Sequence, residues 1–332
     1  MKVQSLRVQS LLVQSLRLGA MAAAAFAVMG TVCGSATAQT GAVKKVNSKN
    51  FDPYYNVCRG TSPECYNDWH AFDTLPNKVL IYSRTAGPRH ANLGTVMAAG
   101  LNPTMAADNV MQAGLVRMLA AAGVTADWTE DVTILSGRIN NYKAVIFASS
   151  NRDTLFNATA TTSNDAARTA LRNYMRRGGG FVGLHNAFGA EYNWPYYEGL
   201  LGNANFYNHS ANRNGNVVIV AADPSTAGVP ATFGFQDEWY NLMPFPTNVK
   251  FLAKVDTTSL TPPNAPPHPG HPDFFPVAWC QYYDGGKSWV TTLGHNGHSF
   301  ADGGTGAGAA PFQKLVTQGV LSVMGLTPFC TQ

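Results

Sequence analysis

The sequence predicts an α/β fold in which helices cover both faces of a largely parallel β-sheet. Short apolar runs alternate along the chain with segments of helical periodicity, and the runs are too uniformly apolar to have one face in water. Their order is strand, helix, strand, strand, helix, strand, which is typical of a parallel sheet. In addition, 45% of the 332 residues are hydrophobic and only 13% are charged, so the chain can form a large core.

The first half of the predicted domain contains four strands and two helices. The apolar runs that predict the strands are residues 78–83, 124–129, 143–150 and 180–184. One helix is predicted over 108–122, where apolar residues share one face and Gly123 follows. A second helix is predicted from about Asn164, with a polar cap, to the glycines that begin at Gly178.

The second half adds strands and a terminal helix to the same domain. Strands are predicted at 217–222, 249–255, 276–282 and 288–293, and a helix at about 311–324. A Pro-rich stretch and a Gly-rich stretch interrupt them, with the sequences TPPNAPPHPGHPDFFP and ADGGTGAGAAP. Since strands on both sides of these stretches need partners in one sheet, we interpret them as surface loops of a single domain over 78–330.

The first 38 residues have the pattern of a secretory signal peptide. Three basic residues precede an Ala-rich apolar run from Leu18 to Val32, and Ala36-Thr37-Ala38 offers a cleavage site before Gln39. A permanent membrane anchor is the alternative, but this run is shorter than the ~20 residues that a span needs. We therefore expect a periplasmic or secreted protein.

Residues 39–77 form an N-terminal extension that carries two of the four cysteines left after cleavage. Cys58, Cys65, Cys280 and Cys330 are an even number in an oxidising compartment, which predicts two disulfides. Three pairings are possible. A Cys58–Cys65 bridge would clamp the extension, and a Cys280–Cys330 bridge would tie a late strand to the C-terminal tail. The spacing does not suit a zinc site made of all four.

Charge and loop composition exclude several classes of partner. The formal charge of the whole chain is +4, and removal of the signal peptide leaves 20 Lys and Arg against 19 Asp and Glu. This balance gives no electrostatic reason to expect nucleic acid or an anionic membrane as a partner. The Gly-rich loop lacks the G-x-G-x-x-G spacing and a following Lys-Ser or Lys-Thr, so we predict no nucleotide cofactor.

Histidines at strand ends are the candidate chemical groups. His185 ends the strand 180–184, His90 follows the first strand, and His295 follows the last. Because ligands of open α/β sheets bind beyond the carboxyl ends of the strands, segments 83–90, 149–152 and 185–194 should converge on one crevice. A lone histidine at a strand end is more often structural, but several at one edge favour a functional site.

No short zinc signature such as H-E-x-x-H occurs in the chain. A metal site assembled from distant segments remains open, with His185, His209 and His295 as ligands beside Glu238. Imidazole and carboxylate groups suit zinc or a similar divalent ion. The pair Asp237-Glu238 has a second interpretation, as the acidic first turn of a helix.

Several segments together resemble the ThuA-like (trehalose utilisation) domains. They are, in order, RRGGGFVGLHNAF (176–188), NFYNH (205–209), DEWY (237–240), PVAW (276–279) and TTLGH (291–295). Arg89-His90 is similar to an early Arg-His pair of that family. The resemblance covers about residues 78–325, and the ordered set is more specific than any of its members.

The resemblance implies a flavodoxin-like three-layer α/β/α sandwich, as in class I glutamine amidotransferases. Those enzymes carry a cysteine nucleophile at the strand tip where this chain has His185, so the resemblance implies the scaffold without the glutaminase chemistry. The family's link to sugar catabolism implies a small sugar substrate, such as a 3-keto glycoside or disaccharide. Here the chain also departs from the family, since residues 284–288 lack the arginine of the family's Gly-Lys-Gly-Arg type turn.

From these residue types we predict an enzyme that uses acid–base chemistry, with a divalent metal as a possible aid. A proton next to a keto group is acidic enough for a histidine or carboxylate to remove. The candidate catalytic residues are His185, Glu238 and His295, and the candidate substrate-binding residues are Arg89, His90, Asn186, Trp194, Asp237 and Tyr240. The alternative is a carbohydrate-binding module without catalysis, which would need the aromatic residues but not the titratable ones.

Overall fold

The computed structural model of the protein describes residues 50–161, 163–260, 274–304 and 306–331. The predicted signal peptide (1–38), the extension up to residue 49 and the Pro-rich segment 261–273 lie outside the described residues. The predictions made for those segments therefore remain predictions.

In the described part of the chain, the helices are Val110–Ala121 (α1), Val132–Arg138 (α2), Ala166–Arg176 (α3), Pro195–Leu200 (α4) and Ala309–Val323 (α5). The first six strands are Phe51–Asp52 (β1), Val57–Gly60 (β2), Lys78–Tyr82 (β3), Thr125–Thr129 (β4), Ala144–Ala148 (β5) and Gly180–Leu184 (β6). The other strands are Phe206–His209 (β7), Arg213–Ile219 (β8), Thr232–Asp237 (β9), Tyr240–Leu242 (β10), Lys250–Asp256 (β11), Phe275–Tyr283 (β12) and Gly286–Thr291 (β13).

The large sheet has a parallel half and an antiparallel half. Strands β4, β3, β5, β6 and β13 lie side by side in that order, and each neighbouring pair is parallel. Strands β12, β11, β8 and β9 continue the sheet with antiparallel pairing. The predicted α/β fold with a parallel core is confirmed, and the antiparallel half extends it.

Alternate residues of the central strands pack on opposite helical layers. In β3, Val79 and Ile81 lie in one core with residues of α1 and α5. Leu80 and Tyr82 lie in a second core with residues of α2 and α3. Because successive strand side chains point to opposite faces, this pattern gives the three-layer α/β/α sandwich that the family resemblance implies.

Seven elements were not predicted from the sequence, namely α2, α4, β1, β2, β7, β9 and β10. Strand β9 had a usable signal, since Phe233 and Phe235 alternate with more exposed residues over Thr232–Asp237. Because Asp237 ends a strand and Glu238 follows it, the interpretation of this pair as the first turn of a helix is wrong. Strand β9 therefore positions the acidic pair, with Asp237 at its end and Glu238 directly after it.

The N-terminal extension joins the sheet instead of only lying on it. Strand β2 pairs with the end of β12, and the Cys58–Cys65 disulfide closes the loop that follows β2. Arg59 is buried, and its Nε lies 2.6 Å from Asp52 Oδ2. A second disulfide joins Cys280 to Cys330, so the prediction of two disulfides is confirmed and their pairing is settled.

Within the described residues, no helix has the length and apolar character needed to cross a membrane.

Candidate functional site

A pocket of about 380 Å³ opens beyond the carboxyl ends of the parallel strands. Its volume lies within the range of roughly 300–1,000 Å³ that is usual for small-molecule sites. The three segments that were expected to converge after β3, β5 and β6 meet there. The lining residues are Pro88, Arg89, His90, Ala91, Asn151, Arg152, Asn186, Gly189, Tyr192, Phe206, His209, Glu238, Tyr240 and His295.

His185 stands at the tip of β6 in a left-handed backbone conformation, with φ of 49°. Such a conformation is strained for a residue with a side chain, and strain of this kind is concentrated at functional sites. The imidazole is fully buried. Its Nδ1 donates to the carbonyl oxygen of Thr292 at 2.8 Å, which leaves the Nε2 lone pair facing Tyr240 Oη at 2.9 Å.

His90 faces His185 from the loop after β3. The two Nε2 atoms are 3.1 Å apart, and the Asn186 side-chain amide lies 3.3 Å from His90 Nδ1 at the other edge of the ring. The preceding residue, Arg89, fixes this loop. Its guanidinium donates to the carbonyl oxygen of Leu93 at 2.8 Å and to Glu130 Oε1 at 2.7 Å.

Asp237 joins the two segments that carry Glu238 and His295. Its carboxylate is fully buried and accepts backbone hydrogen bonds from Gly294 at 2.7 Å, Glu238 at 2.8 Å and His295 at 3.3 Å. Gly294 has φ of +124°, which few other residues tolerate. One buried carboxylate therefore fixes the backbone on both sides of the site.

His90, His185, Glu238 and His295 form a cluster that we call the central cluster. Each offers one ligand atom, and these four atoms lie within 4.8 Å of one another. Glu238 Oε2 is 3.8 Å from the Nε2 atoms of both His90 and His185, and 3.1 Å from His295 Nδ1. Four segments that are distant in sequence thus point donor atoms at one centre.

The charges of the central cluster follow from burial and from its neighbours. Burial, followed by the proximity of His90, lowers the pKa of His185, so this imidazole is neutral. Burial alone would raise the pKa of Glu238, but His295 and His90 outweigh it and lower that pKa. Burial also opposes protonation of His295, but the Glu238 carboxylate raises the pKa of His295. The cluster therefore combines an ionised carboxylate with at least one neutral imidazole.

The donor set fits a divalent transition metal. Three imidazoles and one carboxylate are ligands that zinc and similar ions accept. His295 Nδ1 is buried and, although close to Glu238, makes no aligned hydrogen bond within the described residues, so it has an unused lone pair or proton. The other ring nitrogen of His185, Nδ1, donates its N–H to a backbone carbonyl oxygen, as metal-bound histidines commonly do.

Comparison with known proteins decides the family. The family model described as "ThuA: Trehalose utilisation" matches residues 78–320. The chain belongs to the ThuA family. The resemblance inferred from the sequence is confirmed, and the central cluster lies wholly inside the matched ThuA domain.

Two solved ThuA-like structures share the fold. One, from Bacteroides uniformis, is 23% identical with a TM-score of 0.52, and the match covers 75% of this chain and 93% of that one. The other, from Parabacteroides merdae, is 17% identical with a TM-score of 0.52, and covers 77% and 92%. No curated protein matches the chain. At these identities the likeness shows the fold alone.

The ThuA domain brings most of the sequence-predicted residues to the pocket. Among the nine predicted for catalysis or substrate binding, Arg89, His90, Asn186, Glu238, Tyr240 and His295 line it. His185 lies behind this lining and has no exposed surface. Their roles in catalysis and binding remain predictions.

The two other predicted substrate-binding residues lie away from the pocket lining. Trp194 stacks on Tyr196 with 5.1 Å between ring centres and holds the guanidinium of Arg168 over its face at 5.7 Å. Asp237 is enclosed behind the lining, where burial raises its pKa to about 7 against the opposing backbone hydrogen bonds. We therefore no longer expect either residue to contact substrate.

The predicted metal ligands and the central cluster differ in one residue. His209 was predicted as a ligand with His185 and His295, but His90 occupies that place in the cluster. His209 lies on β7, opposite Tyr240 of β10, and its Nδ1 donates to the carbonyl oxygen of Ser210 at 2.7 Å. It therefore lies in the pocket wall beside the cluster, with Nδ1 3.6 Å from Glu238 Oε1.

Sequence reasoning missed Asn151, Arg152, Tyr192 and Phe206, which complete the pocket wall. The first two belong to the segment that follows β5, so their position was available from the strand order. Tyr192 had the same signal, since it belongs to the segment 185–194 that follows β6. Phe206 had none, because an aromatic residue in a predicted loop fits a core position equally well.

Proposed function

We propose that this ThuA protein is a metal-assisted enzyme of sugar catabolism that acts on carbonyl-bearing sugars such as 3-keto glycosides. The convergence of His90, His185, Glu238 and His295 at the base of the pocket carries the proposal. The family's description as trehalose utilisation supports a sugar as substrate. Cleavage of the glycoside or isomerisation of the keto sugar would both begin with removal of a proton beside the carbonyl.

The four residues of the central cluster would hold the ion through three imidazole nitrogens and Glu238 Oε2. A divalent ion in this position supplies positive charge that polarises a carbonyl oxygen. The neutral state of His185 and the ionised state of Glu238 are the states in which these groups can ligate. Asp237 would act only through them, since it fixes the backbone of Glu238 and His295.

His209 and Tyr240 are the groups placed to move protons. Since His209 donates Nδ1–H to Ser210, the Nε2 atom of its neutral form is a free acceptor in the pocket wall. Burial keeps the pKa of Tyr240 well above its usual range, so its hydroxyl remains a proton donor. We propose that His209 accepts the proton beside the carbonyl and that Tyr240 donates a hydrogen bond to the oxygen that gains charge.

Metal analysis of the purified protein, with a parallel screen of 3-keto glycosides, tests the proposal. We expect about one transition-metal ion per chain, turnover that stops on chelation, and recovery when the ion is restored. His90→Ala should lose both the ion and turnover, whereas His70→Ala, in the N-terminal extension, should lose neither. Full activity in metal-free protein would overturn the metal-assisted mechanism.

The carbohydrate-binding module remains the alternative, favoured by the aromatic wall of Tyr192 and Phe206. It predicts that keto sugars bind without being converted. His209→Ala separates the two functions, since it should abolish turnover in an enzyme and leave sugar affinity nearly unchanged in a module.

We also propose that the protein is exported as a periplasmic or secreted enzyme. The two disulfides support this location, because such bonds persist in oxidising compartments. The N-terminal sequence of the protein recovered from the periplasm or medium should begin near Gln39. An intact Met1 on a protein confined to the cytoplasm would contradict the proposal.

A further inference from the structure

Arg152 projects into the pocket wall from a strained position after β5. Its backbone is left-handed, with φ of 54°. It is held there by hydrogen bonds from its N–H to the carbonyl oxygen of Gly189 and from Glu191 N–H to its own carbonyl oxygen, both at 2.9 Å. A strained residue that the surrounding backbone holds so firmly, at the rim of a pocket, points to a role in that pocket.

The loop after β3 is shaped to accommodate the Arg152 side chain. A Cβ atom on Gly87 would lie 2.3 Å from Arg152 Cγ, so a larger residue at this position would displace the arginine. Gly87 N–H donates to Asn151 Oδ1 at 3.1 Å, which joins the two loops at this point. The guanidinium rests on the ring of Tyr192, with 5.3 Å between its central carbon and the ring centre. The space beside Gly87 and the ring of Tyr192 therefore define where the Arg152 side chain lies.

The Arg152 guanidinium has no carboxylate and no hydrogen-bond partner within the described residues. The neighbouring arginines differ in this respect, since Arg89 pairs with Glu130 and Arg168 pairs with Glu191, each at 2.7 Å. Among the described residues that line the pocket, Glu238 is the one acidic residue, and it belongs to the central cluster at the base. The rim of the pocket therefore carries an unneutralised, preorganised cation.

We propose that Arg152 is the recognition site for an oxyanion on the substrate, so that this enzyme prefers anionic sugars to neutral ones. The planar guanidinium can bind a carboxylate or a phosphate group through two parallel hydrogen bonds. The sugar ring would lie against Tyr192 and Phe206, with its carbonyl group towards the central cluster. The proposal rests on the proposed function only for that carbonyl end, because the Arg152 contact needs no metal.

Calorimetric binding of three probes to the full-length mature protein tests this inference. The probes are methyl glucoside, glucuronic acid and glucose 6-phosphate, each measured with and without added zinc. We expect the better of the two anionic probes to bind about 10- to 100-fold more tightly than the neutral sugar, and this preference to weaken in high salt. Comparison of carboxylate with phosphate identifies which oxyanion the site takes.

Substitutions assign the preference to the guanidinium. Arg152→Gln should remove the preference for the anionic probe, and Arg152→Lys should restore part of it, because a lysine keeps the charge but not the paired hydrogen bonds. Arg177→Gln, at the opposite end of β6, is the matched control and should behave as wild type. Equal binding of neutral and anionic probes, or a preference that survives in Arg152→Gln, would overturn the inference. If Arg152→Gln leaves zinc affinity unchanged, failure of this inference can be distinguished from failure of the metal proposal.

Discussion

In the described part of the chain, two groups of potential metal ligands have the same kinds of donor atom but different surroundings. The central cluster brings together side chains from four distant segments and is largely buried. The second group, which we call the surface cluster, consists of Asp68, His70 and Asp73, all exposed and close in sequence. In both clusters the donor atoms therefore lie close together. The clusters differ in how far the side chains are removed from water and in how firmly neighbouring residues hold each side chain.

This difference indicates which contacts a metal site requires. In the central cluster, Thr292 orients His185, Asn186 holds His90, and Asp237 fixes the backbone of Glu238 and His295. In the surface cluster, His70 Nδ1 lies 2.6 Å from Asp73 and 3.6 Å from Asp68, and water can compete for every donor. Ion pairs between such exposed groups contribute little free energy. We expect a functional metal site only where neighbouring residues fix the position of each ligand, as they do in the central cluster.

The largest effect is expected from Glu238→Gln. The substitution removes the negative charge and an anionic ligand from the central cluster, so metal affinity should fall by more than the roughly 100-fold that is typical for loss of an outer-shell partner. Turnover should fall with it. Asp73→Asn, the equivalent change in the surface cluster, should alter neither metal content nor turnover. Equal loss of metal in both variants would remove the distinction between the clusters.

A smaller effect is expected from Asp237→Asn, which tests the support behind the ligands. The amide keeps one acceptor oxygen and puts an NH2 group in place of the other, so at least one of the backbone hydrogen bonds from Gly294, Glu238 and His295 is lost and this part of the site is held less firmly. Metal affinity, measured by competition with a chelator, should fall about 10- to 100-fold. Asp127→Asn is the control, since Asp127 is also buried and hydrogen-bonded, but to Asn102 and Tyr142 instead of to the backbone of the central cluster. A loss of affinity as large in the control would show that the effect is one of general stability.

His185→Ala should lower the free energy of unfolding of the metal-free protein by about 2–4 kcal/mol, because it opens a cavity and leaves buried polar partners unsatisfied. A histidine at a strand tip is expected from sequence to fill little of the core, but this one has no exposed surface. His70→Ala in the surface cluster should leave the unfolding curve in urea unchanged. If the two variants unfold at the same urea concentration, the packing around His185 contributes nothing.

The smallest effect concerns the pH response of the surface cluster. The hydrogen bond to Asp73, with the charge of Asp68, raises the pKa of His70 above its ordinary value of 6.5. The resulting stabilisation is present below the unfolded-state pKa and is lost as the pH rises through the raised folded-state value. An NMR titration should show the raised pKa, and Asp73→Asn should return it towards 6.5. Because the group is fully exposed, we expect no measurable change in the unfolding curve with this substitution.

The strand order made part of the site predictable. Apolar runs identified β3, β4, β5 and β6, and the rule that ligands bind beyond the carboxyl ends of parallel strands placed His90, His185 and His295 at one edge. Strand β9 was missed because it contains Gly234, which is disfavoured inside a strand, although Phe233 and Phe235 alternate along it. Without β9, the position of Glu238 relative to these histidines had no structural basis in the sequence.

The sequence patterns did not predict the direction in which the side chains near the site point. His209 and His90 both lie near the site, but the pairing of β7 with β10 places His209 in the pocket wall, while the loop fixed by Arg89 aims His90 at the centre. Trp194 and Tyr192 are two residues apart, yet only Tyr192 lines the pocket. Such choices depend on contacts between segments that are far apart in the chain.

Local periodicity, the cysteine count and a set of ordered motifs were enough to predict the parallel α/β core, the two disulfides and the family. Contacts between distant segments place His90 instead of His209 in the central cluster and bury Asp237 behind the pocket lining. They also leave Arg152 at the rim without a carboxylate partner among the described residues. The physical reason is that periodicity fixes which face of an element is buried, whereas the direction of a side chain beyond a strand end is fixed by left-handed backbone positions and hydrogen bonds from other segments.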